Sequence, residues 1–371
     1  MLQHDFFSNK KILVADKSTK TQNDRTWCFW EKQAGVFESI VHHKWQQIDF
    51  YSNHFSARFD IVPYEYKMIR GEDFYNFVIS KAKQNKNINF IQGNIESIYN
   101  GVDKAFVKID NDQFSADYIF NSIQFNKQDQ QTKKDKNTYS LQQHFKGWLI
   151  QTKENLFDER IATFMDFRVS QQHGTTFVYV LPISSNKALV EYTLFTKELL
   201  PQHAYDEGLK AYINDFLKTT AYEILETEYG VIPMTNLPFA KDEERIINMG
   251  TAGGKTKSSS GYTFQFIQKH ADAIIASLLK GKHPAVQQSL FAKRFSLYDN
   301  TLLNVLWNNK LGGDKVFADM FRKNPVQRVF RFLDNETNAI EVMAIAIRAK
   351  KVRIIFYFNE TIPVPLPAKI L

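Results

Sequence analysis

Asn23-Asp24-Arg25-Thr26-Trp27-Cys28-Phe29-Trp30 sets an acid and a base beside two indoles, a thiol and a phenyl ring within eight residues. By residue type alone it fits an exposed loop carrying two indoles, or a plug that drops them into a core. Just before it, Lys11-Ile12-Leu13-Val14-Ala15-Asp16 is an apolar run of strand length ending in a carboxylate, the pattern of a buried parallel strand. After it, strand-like stretches are expected around 45–51, 54–59 and 65–69. Past Gly71 the spacing of Phe74, Phe77, Val78 and Ala82 predicts a helix to about Lys83. Period-two patterns return at 89–91, 95–98 and 105–109, and 117–121 reads as another buried strand. Residues 126–138 are almost wholly polar, as in a surface loop or linker.

A second β-rich block occupies 139–236, with strands expected at 148–152, 162–166, 176–182 and 188–193 and one helix at about 205–218. The glycine-rich piece Gly250-Thr251-Ala252-Gly253-Gly254 follows the strand-like 246–249 and precedes a helical stretch over 262–280. From 285 to 350 the spacing is helical. The order implies an α/β protein: nucleotide-type strands, an inserted antiparallel β-rich substrate domain, a glycine-rich return and a helical C-terminal tail.

The 371 residues suffice for two domains, and 43% hydrophobic with 23% charged residues describe a folded globular chain. The net charge of +7 favours an anionic surface but is too diffuse for a nucleic-acid stripe, which points to a membrane face. Cys28 is the single cysteine, which excludes an internal disulfide and a multi-cysteine metal site, and His42, His43 and His54 offer no metal spacing. Residues 1–11 do not read as a secretory signal, and no window reaches the ~18 uncharged apolar residues of a transmembrane helix. The basic, then apolar tail at 350–358 reads as a packed terminal element or an interfacial anchor. Thirty-two Phe, sixteen Tyr and five Trp make 14% aromatics, more than a polar-substrate enzyme needs and suggestive of a large π-rich pocket.

Three features carry candidate chemistry. Small residues at Gly250, Gly253, Gly254 and Gly261 would let backbone N–H groups approach a phosphate, with Lys255 and Lys257 adding positive charge; a flexible surface loop is the alternative. Asp16 ends its strand where a ribose hydroxyl is received in nucleotide-binding units, although strands often end in Asp for no such reason. Glu191 and Asp166 sit on apolar strands, where desolvation would raise a carboxyl's pKa and make it a proton donor. Alternatively, strand alternation turns them to solvent, or Arg168 pairs with Asp166.

Read as a string, Asn23 to Trp30 resembles the signature of the lycopene cyclase family, the flavin-dependent carotenoid ring-forming enzymes. Further pieces match in order: Gln143-His144-Phe145-Lys146-Gly147-Trp148, Phe164-Met165-Asp166-Phe167, Phe177-Val178-Tyr179-Val180-Leu181-Pro182, Val190-Glu191-Tyr192-Thr193, Tyr229-Gly230-Val231-Ile232-Pro233-Met234, the glycines at 250–254 with Ser260-Gly261-Tyr262, and Phe332-Leu333-Asp334. The resemblance spans about residues 11 to 340. It implies an FAD-binding, Rossmann-like flavoprotein monooxygenase fold. Residues 1–125 would be the N-terminal part of the FAD-binding domain with a meander, 139–236 the substrate-binding part, 237–285 the return to the FAD-binding domain and 286–371 the helical C-terminal region. It also implies a lycopene β-cyclase, an isomerase that needs reduced FAD, with NAD(P)H as the electron source, and acts on lycopene and related linear carotenes. It would be cytoplasmic and peripherally attached to the membrane surface.

Glu191 matches the first glutamate of the family's Leu-Glu-Glu-Thr stretch and is the implied acid and base. Tyr192 replaces the second glutamate, which puts a two-carboxylate mechanism in doubt. Gly250, Gly253, Gly254 and Gly261 would cradle FAD, with Asp16 on its ribose; Asp24, Arg25, Trp27, Trp30 and Asp166 would lie near flavin or substrate. One departure is the front of the chain: no glycine occurs before Gly35, so the family's G-x-G-x-x-G unit is absent, and the spacing suggests a start short by roughly 25–30 residues. A flavin-dependent monooxygenase or reductase of the same fold, or a non-catalytic carotenoid- or lipid-binding protein, are the competing expectations.

Overall fold

Strands that read as continuous apolar runs are buried on both faces, and 175–184 does so at the centre of a seven-stranded sheet in this computed structural model, which describes residues 1, 4–124, 137–286, 290–338 and 340–342. From one edge the sheet runs Tyr222–Thr235, Ser140–Thr152, Lys187–Thr196, Thr175–Ser184, Ile161–Asp166, Gln47–Tyr51 and Ser56–Asp60. All neighbours are antiparallel except Ile161–Asp166 with Gln47–Tyr51. The β-rich block thus recruits two strands from far upstream. On one face Val178, Val190 and Leu194 pack against Tyr205, Leu209 and Ile213 of the helix Gln202–Asp215. On the other, Phe164, Phe177 and Tyr179 meet Phe317, Phe321 and Phe330 of the helices Gly313–Lys323 and Val326–Leu333.

Much of the aromatic surplus goes into this second layer. Trp45, Phe50, Phe164, Phe167, Phe177, Phe317, Phe321 and Phe330 are fully buried. Phe50 stacks on Phe321 at 4.6 Å and Phe167 on Phe317 at 5.6 Å between ring centres. These rings fill a closed core, where the composition alone suggested the lining of an open pocket.

In the stretch from Asn23 to Trp30 the first three residues are loop and the rest is strand, and only the second indole drops into the core. Thr26–Glu31 is an edge strand of a three-stranded antiparallel sheet in which Glu65–Arg70 is central and His43–Trp45 the other edge. Alternation along a strand sends its side chains to two sides. Trp27 and Phe29 pack with Phe264 of the helix Phe264–Leu279 and Phe74 of the helix Gly71–Lys83, while Trp30 enters the core beside the large sheet.

The nucleotide-type strands form two parallel pairs, Ile12–Asp16 with Ile88–Gln92 and Ile119–Asn121 with Ile246–Asn248. Among the described residues no strand bridges the pairs, and Leu13 and Val14, expected to be buried, are 39% and 40% exposed. The polar segment at 126–138, except its last two residues, and the tail at 350–358 lie outside the described residues. No described helix is long and apolar enough to cross a membrane.

Phe164 is the ring on which this packing converges, in contact with Trp30, Tyr66, Tyr179, Phe321 and Phe330. Phe164→Ala is expected to cost ~3–5 kcal/mol in chemical denaturation, the range for a buried aromatic truncated to a methyl group.

A half-buried carboxyl pair as candidate active site

Glu191 lies on Lys187–Thr196 and Glu228 on Tyr222–Thr235, and the strand between them presents Gly147 opposite both. Strands flanking a common neighbour stand roughly 9–10 Å apart, so a side chain at 147 would occupy the space between the two glutamates. An added Cβ there would lie 2.9 Å from Glu228 Cγ and 3.1 Å from Leu189 Cδ1. With only a hydrogen at 147, the two carboxyl groups come within hydrogen-bonding reach of each other.

Each carboxyl has one further donor. The Thr193 hydroxyl donates to Glu191 Oε1 at 2.7 Å, and the Thr26 hydroxyl donates to Glu228 Oε2 at 2.8 Å. Two residues earlier on the same strand, Glu226 accepts from Asn23 Nδ2 at 2.6 Å. The Asn23–Trp30 stretch is therefore stitched onto the glutamates of Tyr222–Thr235.

Burial pushes the Glu191 carboxyl well above the usual carboxylate range, and the neighbouring Glu228 charge pushes it further. Burial also raises Glu228, but the hydrogen bonds from Thr26 and Glu191 pull it back. Two desolvated carboxyl groups in contact cannot both ionise cheaply, and this asymmetry leaves the proton on Glu191. Around the pair, burial raises the Cys28 thiol and the phenols of Tyr66, Tyr179 and Tyr262, so all four stay neutral. Glu228 opens onto a groove lined by Asn23, Thr26, His42, Met68 and Leu149.

Trp30 connects this region to the C-terminal helices. Its indole Nε1 donates to Asp334 Oδ2 at 2.6 Å, its ring stacks on Phe330 at 4.6 Å, and Tyr262 meets it edge-on at 4.8 Å. Burial pushes the Asp334 carboxyl up to about 7.

The remaining expected residues scatter. Asp24 is held by Arg25 at 2.7 Å and by the Tyr75 hydroxyl at 2.8 Å, and Arg25 lies over the Trp27 ring. The Trp27 Nε1 is buried without a partner. Asp166 is fully buried on the opposite face of the large sheet from Glu191, paired with Arg168 and accepting from the Tyr212 hydroxyl at 2.9 Å, where it ties Gln202–Asp215 down. Asp16 accepts from the Ser18 backbone N–H at 2.8 Å and pairs with Lys20 at 3.3 Å. Sequence reasoning missed Glu228 and Gly147. The available signal was Glu226-Thr227-Glu228 directly ahead of Tyr229-Gly230, but only strand register shows which glutamate meets Glu191.

The family model described as lycopene cyclase protein matches residues 8–356. The chain belongs to the lycopene cyclase family. Among curated relatives, lycopene beta-cyclase of Pseudescherichia vulneris is 28% identical over 142 residues, a match spanning only 36% of each chain. Among solved structures, a geranylgeranyl bacteriochlorophyll reductase-like protein from Thermoplasma acidophilum superposes with a TM-score of 0.64 at 11% identity, covering 95% of this chain and 93% of that one. A flavoprotein/dehydrogenase from Cytophaga hutchinsonii gives 0.51 at 12% identity over 83% of each chain. The fold of this lycopene cyclase family member is accordingly that of the flavoprotein monooxygenases and reductases.

Whether the cyclase-family chain suits a flavin is tested at the glycine-rich return. Gly253 and Gly261 are accounted for by the protein itself, since an added Cβ would overlap the Asn248 carbonyl or the Gln143 amide. Gly250 and Gly254 take positive φ values of 57° and 67° that turn the loop. Lys257, expected to face an anion, is instead buried and donates to Asp299 at 2.7 Å and Asn335 at 2.6 Å. Among the described residues, Ser260 Oγ and Gln143 Oε1 are buried around Gly261 with no protein partner. Those orphaned polar atoms fit the polar edge of a flavin ring.

A carboxyl that holds its proton to about pH 7 when folded, but only to about 3.8 when unfolded, binds more protons in the native state between those values. The stability Asp334 contributes is full below about pH 4 and is lost as the pH rises to about 7. Asp334→Asn should flatten that part of the slope in denaturant unfolding measured across this window.

Proposed function

We propose that the chain is a lycopene β-cyclase, an isomerase that closes the linear ends of lycopene and related carotenes into β-ionone rings. The observation that carries this reading is the meeting of Glu191 and Glu228 across Gly147, with Tyr179 opposite Glu191 on the next strand, where burial pushes the Glu191 carboxyl well above the usual carboxylate range. An unperturbed glutamate keeps its proton in only about one molecule in 500 at pH 7. Protonating an unactivated double bond needs an acid that is protonated nearly all the time and water that is nearly absent.

In this reading Glu191 protonates the terminal double bond of the carotene. The tertiary cation that results is attacked by the neighbouring double bond, and a ring proton then leaves. No electrons are gained or lost overall. Aromatic faces near the acid favour the transient cation through their quadrupoles. Reduced FAD, with NAD(P)H as its electron source, would supply a further electron-rich face. Asp16 and the loop from Gly250 through Gly261 are the residues that would hold it. The carotene would enter from the cytoplasmic membrane surface, in keeping with the net positive charge.

Expression in lycopene-accumulating cells tests this directly. Glu191→Gln removes the acidic proton while preserving shape, and is expected to lower ring formation by about 10²–10⁴-fold, measured as cyclic carotenes per unit of protein. Ring formation by this variant at the unmodified rate, or oxygen consumption with no cyclic product from the unmodified chain, would contradict the reading.

A further inference from the structure

Resting on the cyclase reading above, we propose that Glu228 is the base that takes the departing ring proton, and so fixes where the ring's double bond ends up. The resemblance to the family left one glutamate on Lys187–Thr196, with Tyr192 in the second place. The fold returns a second carboxyl to Glu191 from a different strand, across Gly147.

The two glutamates are not equivalent. Glu228 lines the groove, whereas Glu191 stands between Gly147 and Tyr179 on the neighbouring strands. Glu228 is fixed by the Thr26 hydroxyl at the start of its strand, and Asn23, three residues earlier, donates to Glu226. The charged and titratable groups facing it are Glu191 and Cys28 on the pocket side and Glu226, His42 and Arg70 along the groove. In the resting state the pair shares one proton, with Glu191 as acid and Glu228 as carboxylate.

The balance closes within the pair. The Glu191 proton forms one new C–H bond, and the π electrons of the neighbouring double bond form the ring C–C bond. One ring C–H bond then breaks, its electron pair stays as the new double bond, and its proton goes to Glu228. Transfer across the carboxyl contact returns that proton to Glu191. Which C–H bond breaks depends on which one points at the anchored Glu228, so this residue sets ring type as well as rate.

Ring type and yield should be compared in lycopene-accumulating cells for the unmodified chain, Glu228→Gln, Glu228→Asp and Glu191→Gln, with protein level and thermal unfolding measured for each. Glu228→Gln is expected to lower β-ring yield by ~100-fold or more, with any remaining rings carrying their double bond elsewhere. Glu228→Asp should recover part of the yield with an altered ratio of ring types. Glu191→Gln should lower all ring types together by about 10²–10⁴-fold, with no change in their ratio. β-Ring formation by Glu228→Gln within about threefold of the unmodified chain would overturn the proposal. If Glu228→Gln does not fold, Glu228→Asp decides, and an unchanged ratio of ring types overturns it. Absence of rings from the unmodified chain would instead remove the cyclase reading itself, an outcome separate from either of these.

Discussion

The missing side chain at Gly147 is the constraint around which this protein is arranged. It lets carboxyl groups from two strands that are not neighbours meet inside a sheet, where a methyl group would strike Glu228 Cγ at 2.9 Å. Burying two carboxyl groups is tolerable only if one stays neutral and both find donors. Thr193 serves one and Thr26 the other. The Thr26 contact requires the edge strand Thr26–Glu31 to lie against the large sheet, which in turn seats Trp30 in the aromatic core beside Phe330 and Asp334. Packing and chemistry thus share a single set of contacts.

The energetic arrangement separates two kinds of buried charge. Lys67 is buried with Glu31, Glu38 and Glu65 around it, and Lys257 is buried against Asp299; both are paired and inert. Asp166 is likewise neutralised, by Arg168. Among the described residues no cation pairs with Glu191 or Glu228, so the proton itself supplies the neutralisation. A site that holds a proton because nothing else neutralises it can give that proton up to a substrate.

Much of this was legible in the sequence, and what was not has a common cause. Strand and helix positions followed from local periodicity: the helix Gly71–Lys83 and the strand Thr175–Ser184 lie where their apolar spacing put them. Glu191 stood out because a carboxylate interrupts an apolar strand. Glu228 did not, because its meaning depends on register across a third strand and on a glycine more than eighty positions away. The eight residues from Asn23 to Trp30 were recognisable as a string but not as a strand, since alternation with an aromatic on each side mimics a loop carrying two indoles. The phenylalanine count pointed to a pocket, yet Phe50, Phe164, Phe167, Phe177, Phe317, Phe321 and Phe330 pack on one another where the C-terminal helices cover the sheet, a use that composition cannot distinguish from a cavity lining.

At physiological pH the proton of the pair sits on Glu191, because burial first and the Glu228 carboxylate facing it across Gly147 second disfavour its ionised form. Infrared spectroscopy of the purified chain at pH 7 reads this directly, as the C=O stretch of a protonated, desolvated carboxyl. The account predicts that Glu191→Gln loses the component of that band due to Glu191, leaving the Asp334 component in place. A protonated-carboxyl C=O band unchanged by Glu191→Gln, with loss of carboxylate stretches instead, would mean that Glu191 is ionised and would contradict this assignment.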